Sequence, residues 1–447
     1  MGASSAVQAG IDHFLELTGA PPQESAVPIV GATPPDASAF STALAAVIAC
    51  GTVNAALSNL TGYSPGSLDR ALALASFTAY VRCDGQPVPK WASLSGHYRT
   101  ADHRFIQLHC NFPHHAAGAA ARLGAPQERA AFEAAILGWD AFDLEAALIA
   151  DGMIAAAYRT MDEWSGHPHA NAVEHLPLLD FARAGHGPSR SRPTGERPLN
   201  GIRVLDCSRV LAGPVAGQTL ANLGADVIRI GADHLPFVQI GVMATGTSKR
   251  NANVDLRTAE GRATFTELLK GAHVLIDAFR PGALAQYGFS AEEIAALSPG
   301  VSVIQICAFD WVGPWAGRRG FDSIVQATTG LALAGAEQCG AAEPVHLPVQ
   351  SLDYCTGFFA AAAAIRGIAE NRSVGGSWNA KLSLIRTRNW FVALGGPKPF
   401  EQTAITPTPD QLATVPSDFG ELELVRPFVG RWSHGSKHLG TSEPLWR

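Results

Sequence analysis

Arg197-Pro-Leu-Asn-Gly-Ile-Arg-Val-Leu-Asp206 opens a stretch that runs through Leu211-Ala-Gly-Pro214 and Leu223-Gly-Ala-Asp-Val-Ile-Arg-Ile230 to Gln350-Ser-Leu-Asp-Tyr354. Short apolar runs at 202–205, 227–230, 274–276 and 301–306 alternate with helical patterns at 215–223, 323–333 and 357–370. A further helix is capped by Thr258, with Glu260 in its first turn. This alternation is the signature of a parallel α/β sheet. The acid Asp353 stands before an Ala-rich helix, where open α/β sheets present reactive groups. From sequence alone the plainer reading is the N-cap of a helix beginning near Gly357.

Outward from this core the pattern changes. Residues 1–35, rich in Pro and Gly, read as partly irregular, and 40–60 and 66–82 as helices. Two strand-like runs flank Ala101-Asp102-His103, a hairpin, with helical patterns at 113–123, 127–138, 142–151 and 160–164. The expected organisation is a helical segment over 1–90 and a small α+β domain over 91–184. A linker at 185–198 leads to a Rossmann-like domain over 199–372, and a strand and extended tail fill 373–447.

Composition narrows the function. The chain has 447 residues, 47% hydrophobic and 16% charged, with a formal net charge of −6. That balance argues against a general nucleic-acid binder. Residues 1–190 carry net −7 and the remainder net +1, so a polyanion would favour the second half. Seven scattered cysteines without a C-x-x-C pair suggest a reducing, cytoplasmic compartment. His114-His115 lacks further ligands at metal-site spacing, so no metal is expected. No Lys or Arg precedes Arg70, unlike the start of a signal peptide, and the apolar run at 43–57 reads as too short to span a membrane. Neither G-x-G-x-x-G nor a P-loop motif follows the first strand, which disfavours a dehydrogenase or NTPase.

The order and content of these segments resemble the front half of a family III CoA-transferase (the CaiB–BaiF family). Gly246-Thr-Ser-Lys-Arg-Asn, Phe279-Arg-Pro-Gly282 and the strand-end Asp353 carry the likeness. Segments at 95–109 and 147–167 resemble the family's small domain, placed here before the sheet instead of after it, so the segment order is rearranged. The resemblance implies an α/β fold with a parallel, Rossmann-like nucleotide-binding sheet and a second, smaller α+β domain. It implies CoA transfer from an acyl-CoA to a carboxylic acid, with Asp353 as the nucleophile and Asp322 tuning the site. Lys249, Arg250, Arg280 and Arg319 would hold coenzyme A, with Phe279 on adenine and Ala212, Gly213 and Pro214 shaping the acyl and pantetheine pocket. A homodimer is implied, with no membrane and no nucleic-acid partner. Two alternatives stay open. A 2-methylacyl-CoA racemase would use Asp353 as a base, but Phe321 stands where the related racemases keep a His. A catalytically weak CoA-thioester binder fits the lack of a polyglycine loop.

Overall fold

The computed structural model describes residues 3–21, 27–62, 66–190 and 195–447. Its centre is a seven-stranded sheet: β1 (Leu179–Gly185), β2 (Arg203–Cys207), β3 (Asp226–Gly231), β4 (Arg250–Asn253), β5 (Val274–Asp277), β6 (Ser302–Cys307) and β7 (Ser377–Ser383). The spatial order is β4-β3-β2-β5-β6-β7-β1. All pairs are parallel except β7–β1, which is antiparallel.

Both faces of the sheet are covered, which explains its near-continuous apolar runs. Val204, Val227, Val274, Ile276 and Ile304 point to one face, into a large core with helices α1 (Thr42–Thr61), α2 (Ala212–Asn222) and α4 (Ser351–Val374). Leu205, Ile228, Ile230, Leu275 and Val303 point to the other, against Phe265, Leu268 and Leu269 of the helix Ala259–Gly271. The period-two alternation of side chains along a strand produces this division. Helix α1 is long and apolar enough by length and composition to cross a membrane, yet most of it is buried inside the protein. It packs along α4, whose Ala360–Ala364 run is fully buried; these methyl-sized side chains let neighbouring helices approach closely.

A smaller α+β unit precedes the sheet. Strands Gly96–Arg99 and Phe105–Leu108 form the expected antiparallel hairpin, with Ala155–Ala157 as a third strand. Three helices, Pro113–Leu123, Arg129–Ile136 and Ala141–Ala150, close a core around Tyr98, Ile106, Phe132, Leu144 and Leu148.

Several sequence expectations change. Residues Ala3–Leu17 form a helix, with Val7, Ile11, Phe14 and Leu15 buried. The helix expected over 66–82 shortens to Arg70–Ala75, with short strands on both sides. The expected single helix at 323–333 is two: α3 (Asp322–Thr328) and Leu331–Cys339. Gly330 divides them at φ 85°, and a Cβ there would lie 2.5 Å from the Met161 backbone nitrogen. Only glycine combines that conformation with that approach. Helix α4 begins at Ser351, six residues before Gly357, so Asp353 is not its N-cap but lies in its first turn. Residues Leu384–Ala393 form another helix, α5, and the tail contains the hairpin Leu412–Ser417/Gly420–Val425.

Candidate active site

Asp353 enters the core on the first turn of α4 and is 8% exposed. It borders a pocket of about 150 Å³ whose walls include Phe77, Trp91, His109, Val210, Leu211, Ile240, Phe321 and Val349. Gln350, the N-cap of α4, supplies no side-chain cap. Asp322, the first residue of α3, does this from outside: its carboxylate accepts the Asp353 backbone N–H at 3.0 Å. Asp322 also accepts the Gln326 side-chain amide, while the Gln326 carbonyl accepts the Leu347 backbone N–H at 2.8 Å. The three groups fix the start of α4 against α3.

The pair is electrostatically strained. Asp322 is fully buried, and burial pushes its carboxyl up to about 6 against the hydrogen bonds it receives. Burial first, and the Asp322 charge second, push Asp353 well above the usual carboxylate range. The positive end of the long helix α4 acts in the opposite sense on Asp353.

His109 is stacked on Phe321, with ring centroids 3.9 Å apart. Its Nδ1 is buried without a hydrogen-bond partner. Burial, with His115 beside it, lowers its pKa to about 3, so at neutral pH it is an uncharged imidazole in the Asp353 pocket. A neutral imidazole is a weak base but can donate one hydrogen bond to a developing oxyanion.

A second cleft, of about 330 Å³, lies beyond the carboxyl ends of β2, β5 and β6. Arg209, Phe279, Arg280, Arg318 and Arg319 line it. The Arg280 side chain makes no hydrogen bond or ion pair among the described residues. Arg319 donates to the Gly152 carbonyl at 2.7 Å, and Arg318 is held by Glu145 and the Ala155 carbonyl. After burial, the mutual repulsion of Arg209 with Arg229, Arg280 and Arg319 lowers the Arg209 pKa. Such clustering of cations favours an anionic ligand. The cleft and the Asp353 pocket share Val210 and Phe321 as walls, so a ligand on the arginines adjoins the carboxylate.

The expected cation set thus divides. Arg280 and Arg319 line the cleft with Phe279. Lys249 lies elsewhere: it is 1% exposed, and its ammonium is bound to Asp206 at 3.0 Å and the Pro214 carbonyl at 3.1 Å. Arg250 is spent on a bidentate pair with Asp226 and on the Leu445 carbonyl. Ala212, Gly213 and Pro214 open α2, but Val210 and Leu211 before them face the Asp353 pocket. Gly213 permits close packing, since a Cβ would meet Ser208 at 2.3 Å and Ala278 at 2.9 Å. Sequence reading missed Arg209, Arg318 and His109. Arg209 had a visible signal, three residues after Asp206 at the carboxyl end of the first parallel strand.

Residues 199–405 match the family model described as CoA-transferase family III. A succinate–glutarate CoA-transferase of Agrobacterium fabrum is 36% identical over 189 residues, which are 38% of this chain and 47% of that protein. An acetyl-coenzyme A transferase, nodX, of Hypoxylon pulicicidum is 29% identical over 201 residues, 44% of this chain and 34% of that one. A CAIB/BAIF family protein from Brucella suis, of known structure, is 26% identical with a TM-score of 0.41, covering 51% of this chain and 65% of that chain. The chain spans about a third to a half of the length of these curated relatives. Residues 199–405, which carry β2 to β7, the cleft arginines and Asp353, are the part of the chain that matches CoA-transferase family III.

Proposed function

We propose that this protein moves CoA from an acyl-CoA thioester to a carboxylic acid, with Asp353 as the covalent carrier. The observation that carries this reading is the shared wall at Val210 and Phe321, which joins an arginine-lined cleft to a buried carboxylate. The relatives named as CoA-transferases support it. So does the strand order β4-β3-β2-β5-β6-β7, the order of a doubly wound, Rossmann-like sheet. In that fold ligands bind where the order reverses, here between β2 and β5, and Arg209 and Arg280 follow those two strands.

The Asp353 carboxylate attacks the thioester carbonyl, forming an acyl–aspartyl anhydride and expelling the CoA thiolate. The thiolate then attacks the aspartyl carbonyl and releases the donor acid, leaving an aspartyl-CoA thioester. The acceptor carboxylate attacks that thioester; the thiolate leaves again and takes the new acyl group, which regenerates Asp353. Arg280 and Arg319 hold the phosphates, Phe279 supplies a face for the adenine, and His109 donates to the oxyanion formed beside Asp353.

Asp353→Asn tests this. Transfer should be abolished, with CoA affinity within about tenfold, or ~1.4 kcal/mol, of wild type. With an acyl-CoA present, hydroxylamine should convert residue 353 to a hydroxamate, shifting one tryptic peptide. No shifted peptide, together with α-proton exchange of a 2-methylacyl-CoA in D₂O, would reject transfer in favour of racemisation.

A further inference from the structure

The Asp353 pocket is bounded on one side by Val210 and Phe321, the wall it shares with the arginine cleft. Its mouth lies elsewhere: of the residues that line the pocket, only Lys90 and Trp91 are exposed. Both belong to the first part of the chain, outside the 199–405 match. This rim is fastened to the small α+β unit. The Asn111 side-chain carbonyl accepts the Ala92 backbone N–H at 3.0 Å and the Ser95 hydroxyl at 2.6 Å, and Trp91 meets His109 edge-on with ring centroids 6.2 Å apart. Lys90 is the only Lys or Arg among the lining residues. Its ammonium donates to the Thr78 carbonyl at 2.6 Å. It makes no ion pair with Asp353 or with any other carboxylate among the described residues. A cation at the mouth of a cleft, with no acid to neutralise it, concentrates anions there and speeds their entry.

The chemistry proposed above needs such an entrance. Once the aspartyl-CoA thioester forms, the pantetheine arm runs from Asp353 to the cleft and fills the Val210–Phe321 side. The donor acid must then leave, and the acceptor acid enter, while that side is occupied. Two other voids share walls with the pocket, but they are smaller, about 60 and 20 Å³, which leaves the mouth as the wider way. We propose that the acids enter and leave at the Lys90–Trp91 mouth, separately from CoA, and that Lys90 recruits their carboxylates from solvent. This rests on the CoA-transfer reading, since it takes the cleft side to be filled by covalently held CoA.

The test uses the full chain and whichever of succinyl-CoA, butyryl-CoA and benzoyl-CoA converts residue 353 to a hydroxamate. Exchange of the matching labelled acid into that acyl-CoA reads the acid traffic, while trapping by hydroxylamine, a neutral molecule, reads the acyl-CoA step without a charged visitor. At low salt Lys90→Glu should lower kcat/KM for acid exchange by about fivefold or more. Hydroxamate formation and CoA affinity should stay within about twofold of wild type. The exchange gap should shrink below about twofold near 0.5 M salt, where charges are screened, and Lys90→Arg should behave as wild type. Unchanged exchange at low salt, or a gap that salt does not close, would overturn the proposal with the CoA reading intact. So would CoA binding weakened about tenfold, which would make Lys90 a phosphate ligand. No hydroxamate from any of the three in wild type would instead reject the CoA-transfer reading, and this proposal with it.

Discussion

Asp322→Asn separates the two tasks of that residue. Its carboxylate receives the Asp353 backbone N–H and the Gln326 amide. An asparagine keeps one acceptor and brings one donor, so one buried contact becomes donor against donor. Gln326 cannot simply turn, because its carbonyl already accepts from Leu347. The expected cost is ~1–3 kcal/mol, and about twice that for Asp322→Ala, which loses both acceptors. The charge works the other way. With its carboxyl pushed from 3.8 to about 6 by burial, folded Asp322 holds a proton that the unfolded chain has already released between those pH values. Stability from this group is therefore full near pH 4 and falls as pH rises to about 6, by on the order of 3 kcal/mol. The variant lacks this dependence. Urea unfolding should show wild type losing ground to the variant as pH rises from about 4 to 7, by on the order of 3 kcal/mol. In activity, removing the neighbouring charge lowers the Asp353 pKa, so the acid limb of kcat/KM should move to lower pH. A stability gap that is constant with pH, or an unmoved acid limb, would refute this account.

The divided cation set predicts two opposite phenotypes. Lys249→Met leaves the Asp206 carboxylate buried without its ammonium and should cost ~3–5 kcal/mol, read as a large fall in melting temperature. Arg280→Glu should leave melting unchanged and weaken CoA binding by ~1–3 kcal/mol in calorimetry. Gly330→Ala forces a side chain into a left-handed conformation against Met161, so its urea midpoint should fall by the equivalent of at least ~1–2 kcal/mol; an unchanged midpoint would contradict the described contact.

The contrast between Lys249 and Arg280 shows where sequence reading succeeds and fails. Strands β2, β3, β5 and β6 were legible because each carries a short buried apolar run, such as Val204-Leu205, Val227-Ile228, Val274–Ile276 and Val303-Ile304. Strand β4, Arg-Asn-Ala-Asn, was not, because it is a polar edge strand whose Asn251 amide donates to Lys437 in the tail. Asp353 was legible as a strategic acid, but its first-turn place in α4 depends on Asp322, which is 31 residues earlier. Lys249 looked like Arg280 in sequence; only folding sets it against Asp206. The break between α3 and the next helix needs Met161, far away along the chain. Each of these four cases involves a partner distant in sequence, which neither periodicity nor local propensity encodes.

The Asp353 pocket is built from both parts of the chain, and this yields a last expectation. Phe77, Trp91 and His109 come from the first 190 residues, while Val210, Phe321 and Asp353 come from the remainder. The same first part supplies β1, which pairs with the otherwise open edge of β7. It also seals α4 and α5: Phe14 stacks on Phe359 at 5.6 Å, Phe77 lies 5.2 Å from Tyr354, and Phe40 lies 6.2 Å from Phe391. Burying each of these three phenylalanines contributes ~1.5–3 kcal/mol. Together that is about 5–9 kcal/mol, comparable with the whole stability of an ordinary domain. Residues 195–447 expressed alone should therefore unfold without a cooperative transition, and co-expression with 1–190 should restore a single transition, co-purification and CoA binding. A sharp, CoA-stabilised transition of 195–447 alone would show that the sheet stands without the first part, and that the Phe77 and His109 walls are dispensable to the site.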